Sequence, residues 1–135
     1  MYKIKLLLVE DNLIVREGIK ELLGNQPDME VCNDVSGGVE ALNLLALGLR
    51  PDIILSDMNM RGIDGIELTR QIVALGLPNV KVIILTMHAK EAFVKKAFEA
   101  GAKGYLLKGG DFKEMYQAIR LVYNGNLYSS IGITS

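Results

Sequence analysis

Apolar runs of strand length alternate with amphipathic stretches along the chain. The strand-like runs are KIKLLLV (3–9), MEVCNDV (29–35), DIILS (52–56), VKVIILT (80–86) and GYLL (104–107). At 6–9, 53–55 and 82–85 every residue is apolar, as central strands covered on both faces require. Between the runs, apolar residues recur near every third or fourth position. Leu13, Ile14, Ile19, Leu22 and Leu23 predict a helix over 13–23; Val39, Leu42, Leu45 and Ala46 predict one over 39–47. Ile63, Ile66, Ile72, Val73 and Leu75 mark a third over 63–75, and Phe93, Val94, Ala97 and Phe98 a fourth over 90–100. A fifth, over 111–123, starts at Asp111, a favoured N-cap residue, and stops before Asn124-Gly125.

Five βα units predict a parallel sheet with helices on both faces. A closed eight-unit barrel needs nearly twice this length. An open, doubly wound α/β sheet of five strands is therefore expected as one domain over residues 1–124, with its ligand site beyond the carboxyl ends of the strands.

Charge narrows the partners. Fifteen basic and sixteen acidic residues leave a formal net charge of −1, so the chain lacks the basic excess that favours nucleic acid or an anionic membrane. No apolar run approaches the ~20 residues of a membrane span. The N-terminus is too short for a signal peptide and lacks a small-residue cleavage site. Cys32 is the only cysteine, which excludes a disulfide framework. A soluble, cytoplasmic protein is expected.

The five strand ends carry the candidate chemistry. The first strand runs into Glu10-Asp11, the third into Asp57 and the fourth into Thr86, while Lys108 follows the fifth. Each residue alone has an ordinary structural reading. Glu10 and Asp11 suit the first turn of a helix, Asp57 a loop cap, Thr86 a strand and Lys108 a solvated surface. Together they are harder to explain structurally. Three clustered carboxylates raise one another's pKa unless a cation sits among them. Oxygen-only ligands suit Mg²⁺, and a lysine beside a hydroxyl offers donors to a phosphoryl group.

VEDN, DIILSDMNMRGIDGIEL, VIILTMHA and AGAKGYLLKG resemble the receiver domain of two-component response regulators over residues 3 to about 124. That resemblance implies a flavodoxin-like (βα)5 fold of strand order 2-1-3-4-5. It implies a phosphorylation-activated switch rather than an enzyme, with Asp57 as phosphoacceptor from a sensor histidine kinase. It further implies Mg²⁺ held by Asp11, Asp57 and the Asn59 main-chain carbonyl, with Glu10 acting through a water. By the same resemblance Thr86 and Lys108 are expected to bind the phosphoryl oxygens. Tyr105 is the switch aromatic, whose ring enters room vacated behind Thr86 when that residue's loop moves inward. A haloacid-dehalogenase phosphatase needs a D-x-D motif after the first strand, and a flavodoxin a Ser/Thr/Gly-rich phosphate loop there. VEDN supplies neither.

Two positions depart from the common receiver pattern. Arg61 stands where many members carry proline, and a changed loop with an intact site is expected. Gly109 replaces another frequent proline, so a trans Lys108–Gly109 peptide is expected, because a non-proline cis bond costs ~3–4 kcal/mol. His88 is read either as an ordinary surface residue or, by the resemblance, as a rim residue that tunes water access. Met58, Met60 and Met87 are read as packing residues. Ile14 and Val15, more apolar than one buried face requires, are expected to contact the kinase.

DNLIVREGIKELL, LTMHAKEAFVKKAFEAGAKGYLLK and NGNLYSS resemble receivers that control transcription through a NarL/LuxR-type helix-turn-helix domain. Residues 125–135, polar and uncharged, are expected to begin a linker to an absent output domain. The chain itself is expected not to bind DNA and to form a homodimer on phosphorylation.

Overall fold

The computed structural model describes residues 2–131. Its strands are β1 (Ile4–Val9), β2 (Met29–Val35), β3 (Ile53–Asp57), β4 (Lys81–Thr86), β5 (Gly104–Leu107) and a short β6 (Tyr128–Ser129). Its helices are α1 (Leu13–Gly24), α2 (Gly38–Ala46), α3 (Gly65–Ala74), α4 (Glu91–Ala100) and α5 (Phe112–Tyr123). The sheet is parallel throughout and ordered β2-β1-β3-β4-β5-β6. The expected order 2-1-3-4-5 is thus present and gains a sixth strand. Among the described residues, no helix is long and apolar enough to cross a membrane.

Alternation along the buried strands builds two cores. Leu7, Val9, Ile54, Val82, Ile84 and Tyr105 pack with residues of α2, α3 and α4. Leu6, Leu8, Ile53, Leu55, Ile83 and Leu106 pack on the other face with residues of α1 and α5. Side chains of a strand point alternately to its two faces, so each continuous apolar run serves both cores at once.

The sixth strand comes from residues expected to begin a linker. Tyr128 and Ser129 pair with Gly104 and Tyr105 on the outer edge of β5; residues 132–135 of that segment lie outside the described residues. Its polar sequence gives no strand signal, and its pairing partner lies more than twenty residues upstream. The Lys108–Gly109 peptide is trans, since no described peptide bond is cis. Gly109 adopts φ of 85°, which the locked ring of a proline cannot reach.

α5 is tied to the chain before β2 by Arg120. Its guanidinium donates to both Asp28 carboxylate oxygens at 2.8 and 3.0 Å and to Gln26 Oε1 at 2.8 Å. The Arg120 hydrogen bond holds the Asp28 carboxyl below its ordinary value of 3.8. A carboxylate lowered in the folded state contributes stability above that ordinary value and loses it as pH falls through the lowered one. The pair is about a third exposed, so its contribution is at most ~1 kcal/mol. Arg120→Gln is predicted to lose up to that amount at neutral pH, with the deficit closing in acid. Urea denaturation over a descending pH series checks this. A deficit independent of pH would instead assign the loss to Arg120 packing over the Tyr116 ring, 6.0 Å from its centroid.

Candidate functional site

Strand register gathers the predicted residues at one end of the sheet. Val9 pairs with Ser56, Asp57 with Leu85, and Thr86 with Leu107. The residues that end or follow β1, β3, β4 and β5 are therefore level. Beyond the last rungs, Met58 N donates to Leu85 O at 3.0 Å and Lys108 N to Thr86 O at 2.7 Å.

The Lys108 ammonium joins the two buried acids. Its Nζ donates to Glu10 Oε1 at 2.7 Å and lies 3.2 Å from Asp57 Oδ1. Glu10 is 1% exposed and Asp57 is also buried, whereas Asp11 is exposed. Burial pushes the Glu10 carboxyl up, and the Lys108 and Asn12 hydrogen bonds oppose that shift without cancelling it. Burial alone would depress the Lys108 ammonium, but the Glu10 hydrogen bond and the Asp57 charge outweigh it and raise Lys108.

Glu10, Asp11 and Asp57 each offer a carboxylate oxygen, and the three lie within 4.8 Å of one another. Ionised, they carry three negative charges against the single positive charge of Lys108. The donor set is hard oxygen with a charge deficit of two, which fits a divalent cation of the Mg²⁺ type. The acidic cluster is of the kind typical of receiver Mg²⁺ sites. Among the described residues, no other group of three metal-ligating side chains was found.

Capping of α1 falls to neither acid. Asn12 is the N-cap, and its side chain accepts from Val15 N at 3.0 Å. Glu10 Oε2 accepts from Asn12 N at 3.1 Å, which orders the turn before the helix. Arg16 donates to the Glu10 carbonyl at 2.8 Å and pairs with Asp34 at 3.2 Å, so α1 also braces the end of β1. Asn59 N lies 3.4 Å from Asp57 Oδ1.

Thr86, which ends β4, and Tyr105 meet at the loop that follows β4. Thr86 is buried, and its hydroxyl accepts from His88 N at 3.1 Å. The Tyr105 ring is fully buried, and its hydroxyl donates to His88 O at 2.8 Å. The ring thus occupies the interior. Burial raises the Tyr105 phenol, and the nearby Thr86 hydroxyl opposes that shift. The His88 ring rests on Phe93 with centroids 5.2 Å apart. Ile14 is 83% exposed and Val15 lies at the edge of exposure. Val15, Ile19, Leu22, Met87, Phe112 and Met115 line a cavity of about 350 Å³ between α1 and α5 that reaches Lys108.

One positioning residue escapes the pattern of apolar and acidic positions. Gly65 N donates to Met58 O at 2.8 Å, and a Cβ on Gly65 would stand 2.4 Å from Asp57 O and 2.9 Å from Met58 Cα. Helix α3, capped by Asp64 accepting from Glu67 N, thus starts directly against the backbone that carries Asp57. The D-G pair in GIDGIEL was the available signal.

The response regulator receiver domain family matches residues 6–120. The chain is 36% identical over 126 residues to the transcriptional regulatory protein DegU of Brevibacillus brevis, covering 93% of this chain and 52% of DegU. It is 39% identical over 127 residues to the response regulator GacA of Pseudomonas aeruginosa, covering 94% and 58% respectively. It therefore spans just over half the length of these curated relatives. A crystal structure of a LuxR-family two-component response regulator from Aurantimonas sp. SI85-9A1 superposes with a TM-score of 0.87 at 37% identity, covering 93% of this chain and 89% of that one. The signal receiver domain of the putative response regulator NarL from Mycobacterium tuberculosis also gives 0.87, at 28% identity over 93% of this chain and all of that one.

Two glycine substitutions separate close approach from helix propensity. Gly65→Ala is predicted to cost about 1–3 kcal/mol, because backbone must yield to the new methyl. Gly18→Ala, in exposed α1 with nothing within 4 Å of its Cβ, is predicted to add about 0.5–1 kcal/mol. Chemical denaturation of both variants checks the opposite signs.

Proposed function

The chain belongs to the response regulator receiver domains of two-component signalling, and on that premise we propose that Asp57 accepts a phosphoryl group from the phosphohistidine of a sensor kinase. A receiver is a phosphoacceptor rather than a classical enzyme, and it implies a histidine kinase as partner. The observation that carries the assignment to Asp57 is its place at the end of buried β3, 3.2 Å from the Lys108 ammonium and beside two further carboxylates.

In the proposed transfer an Asp57 oxygen attacks phosphorus, the bond from phosphorus to the kinase imidazole nitrogen breaks, and that nitrogen keeps the electron pair. Phosphoryl oxygens repel an approaching carboxylate, so positive charge at the site lowers the barrier. Lys108 supplies one such charge, already held by Glu10. The Thr86 hydroxyl, now accepting from His88 N, donates to a phosphoryl oxygen once it turns towards the site. Asp11, Asp57 and the Asn59 main-chain carbonyl, with Glu10 acting through a water, would hold Mg²⁺, which would supply Lewis-acid neutralisation of the phosphoryl oxygens. Tyr105 follows the loop that Thr86 and His88 share. His88 lies at the rim, where its backbone rather than its ring makes the described hydrogen bonds; tuning of water access is the role we assign it.

The wider role is transcription control. DegU bears the name of a transcriptional regulatory protein, and this chain matches just over half of it. We assign this chain the switch of such a regulator, acting in the cytoplasm, with a DNA-binding output outside residues 1–135. Without a basic excess, the chain alone does not bind DNA, and its own response to phosphorylation is homodimer formation. The exposed start of α1 and the apolar cavity beside it suit a partner's helix, and there we place the kinase contact of Ile14 and Val15.

Asp57→Asn is predicted to abolish phosphorylation by acetyl phosphate while the fold persists, as intact mass and circular dichroism report. A phosphoryl group gained elsewhere by the variant counts against the assignment. Asp11→Asn is predicted to weaken Mg²⁺ binding more than Glu10→Gln, because direct ligation outweighs a water-mediated contact; equal losses on titration reverse that ranking. Ile14→Asp with Val15→Asp is predicted to slow transfer from the kinase by about tenfold or more and to spare acetyl phosphate. Equal slowing of both would mean a folding defect.

A further inference from the structure

We propose that the outer edge of β5 is a docking surface for an extended peptide, occupied here by the chain's own residues 128–131, and that phosphorylation releases it. The proposal rests on Asp57 being the phosphoacceptor.

The described polar anchors of this segment reach β5, the residue before it, or α5. Tyr128 N donates to Lys103 O at 3.1 Å and Ser130 N to Tyr105 O at 2.9 Å. Leu107 N donates to Ser130 Oγ at 3.1 Å. Glu114 of α5 clamps the segment with both carboxylate oxygens, accepting from Tyr128 OH at 2.6 Å and from Ser130 Oγ at 3.1 Å. Ile131 packs against the core cluster that contains Tyr105. The hydroxyls at 128 and 130 explain how a two-residue strand holds its place, since so short a parallel pairing has little stability of its own.

Tyr105 belongs to both ends of this arrangement. Its carbonyl holds Ser130, and its hydroxyl holds His88 O. His88 N in turn holds the Thr86 hydroxyl. If Thr86 rotates so that its Oγ moves to a phosphoryl oxygen, Oγ leaves His88 N and the partner of the Tyr105 hydroxyl shifts. The Tyr105 residue whose carbonyl holds Ser130 N then loses one of its own tethers. Few bonds hold the strap at 128–131, so it lies at the low end of local stability. By linkage, a strap that favours the unmodified state must resist phosphorylation by the same factor.

Hydrogen exchange at the Tyr128 and Ser130 amides of the whole chain tests this, before and after acetyl phosphate with Mg²⁺, with intact mass reporting the phosphoryl group. The expected result is exchange about tenfold faster at both amides after modification, equivalent to losing one or two net hydrogen bonds. Unchanged or slowed exchange in protein that carries one phosphoryl group on Asp57 overturns the strap and leaves the phosphoacceptor assignment standing. If no phosphoryl group is gained, that assignment fails and the strap is judged on unmodified Tyr105→Phe. Removing the hydroxyl tether is expected to speed exchange at the same amides about fivefold, and unchanged exchange overturns the coupling. Ser130→Pro, which removes both the amide and the hydroxyl, is expected to raise the fraction phosphorylated at limiting donor. An unaltered or lowered fraction contradicts the linkage.

Discussion

Two carboxylates buried at the carboxyl end of the sheet are tolerable only because one ammonium touches both. Lys108 reaches Glu10 at 2.7 Å and Asp57 at 3.2 Å, so residues from β1, β3 and β5 share a single charge balance. Removing one partner from such a buried pair typically costs about 3–5 kcal/mol, because the remaining charge is left uncompensated. The rest of the end of the sheet is arranged around this constraint. Arg16 secures the Glu10 carbonyl, Asn12 N holds the other Glu10 oxygen, and Gly65 lets α3 press against the Asp57 backbone.

Strand alternation separates chemistry from response. Leu8, Leu55 and Leu106, each two residues before Glu10, Asp57 and Lys108, belong to the core shared with α1 and α5. Ile84, two residues before Thr86, lies with Tyr105 in the core shared with α2, α3 and α4. Charges that would handle a phosphoryl group thus lie on the side of the α1/α5 cavity, while the switch pair lies on the side of α4. Thr86 joins the two because β4 runs between β3 and β5. Its hydroxyl is one hydrogen bond from the loop that holds Tyr105.

Most of the site was legible because it sits at strand ends. A parallel sheet brings those ends together whatever lies between them, so Glu10, Asp11, Asp57, Thr86 and Lys108 could be named from periodicity and chemistry. Asn12 was harder to read, since three consecutive residues, Glu10, Asp11 and Asn12, all suit a helix start, and only the backbone geometry selects one. Gly65 was hidden for a different reason. Glycine in a loop reads as a turn, and its close approach to Asp57 exists only once α3 has docked. The segment at 128–131 carried the weakest signal, because the hydroxyls of Tyr128 and Ser130 find their partners only where Glu114 and the β5 edge stand in the folded chain.

Local pattern alone therefore determined the five βα units, the N-cap at Asp111 and the set of residues gathered at one edge. These follow from side-chain periodicity and from the right-handed βα crossover, which do not depend on distant contacts. Tertiary structure decided what those residues do to one another. It paired Lys108 with Glu10 across 98 positions, buried Tyr105 against the loop of His88, and added β6 to the sheet. Such choices turn on distances of a few tenths of an ångström between groups far apart in the chain, and no local sequence pattern encodes them.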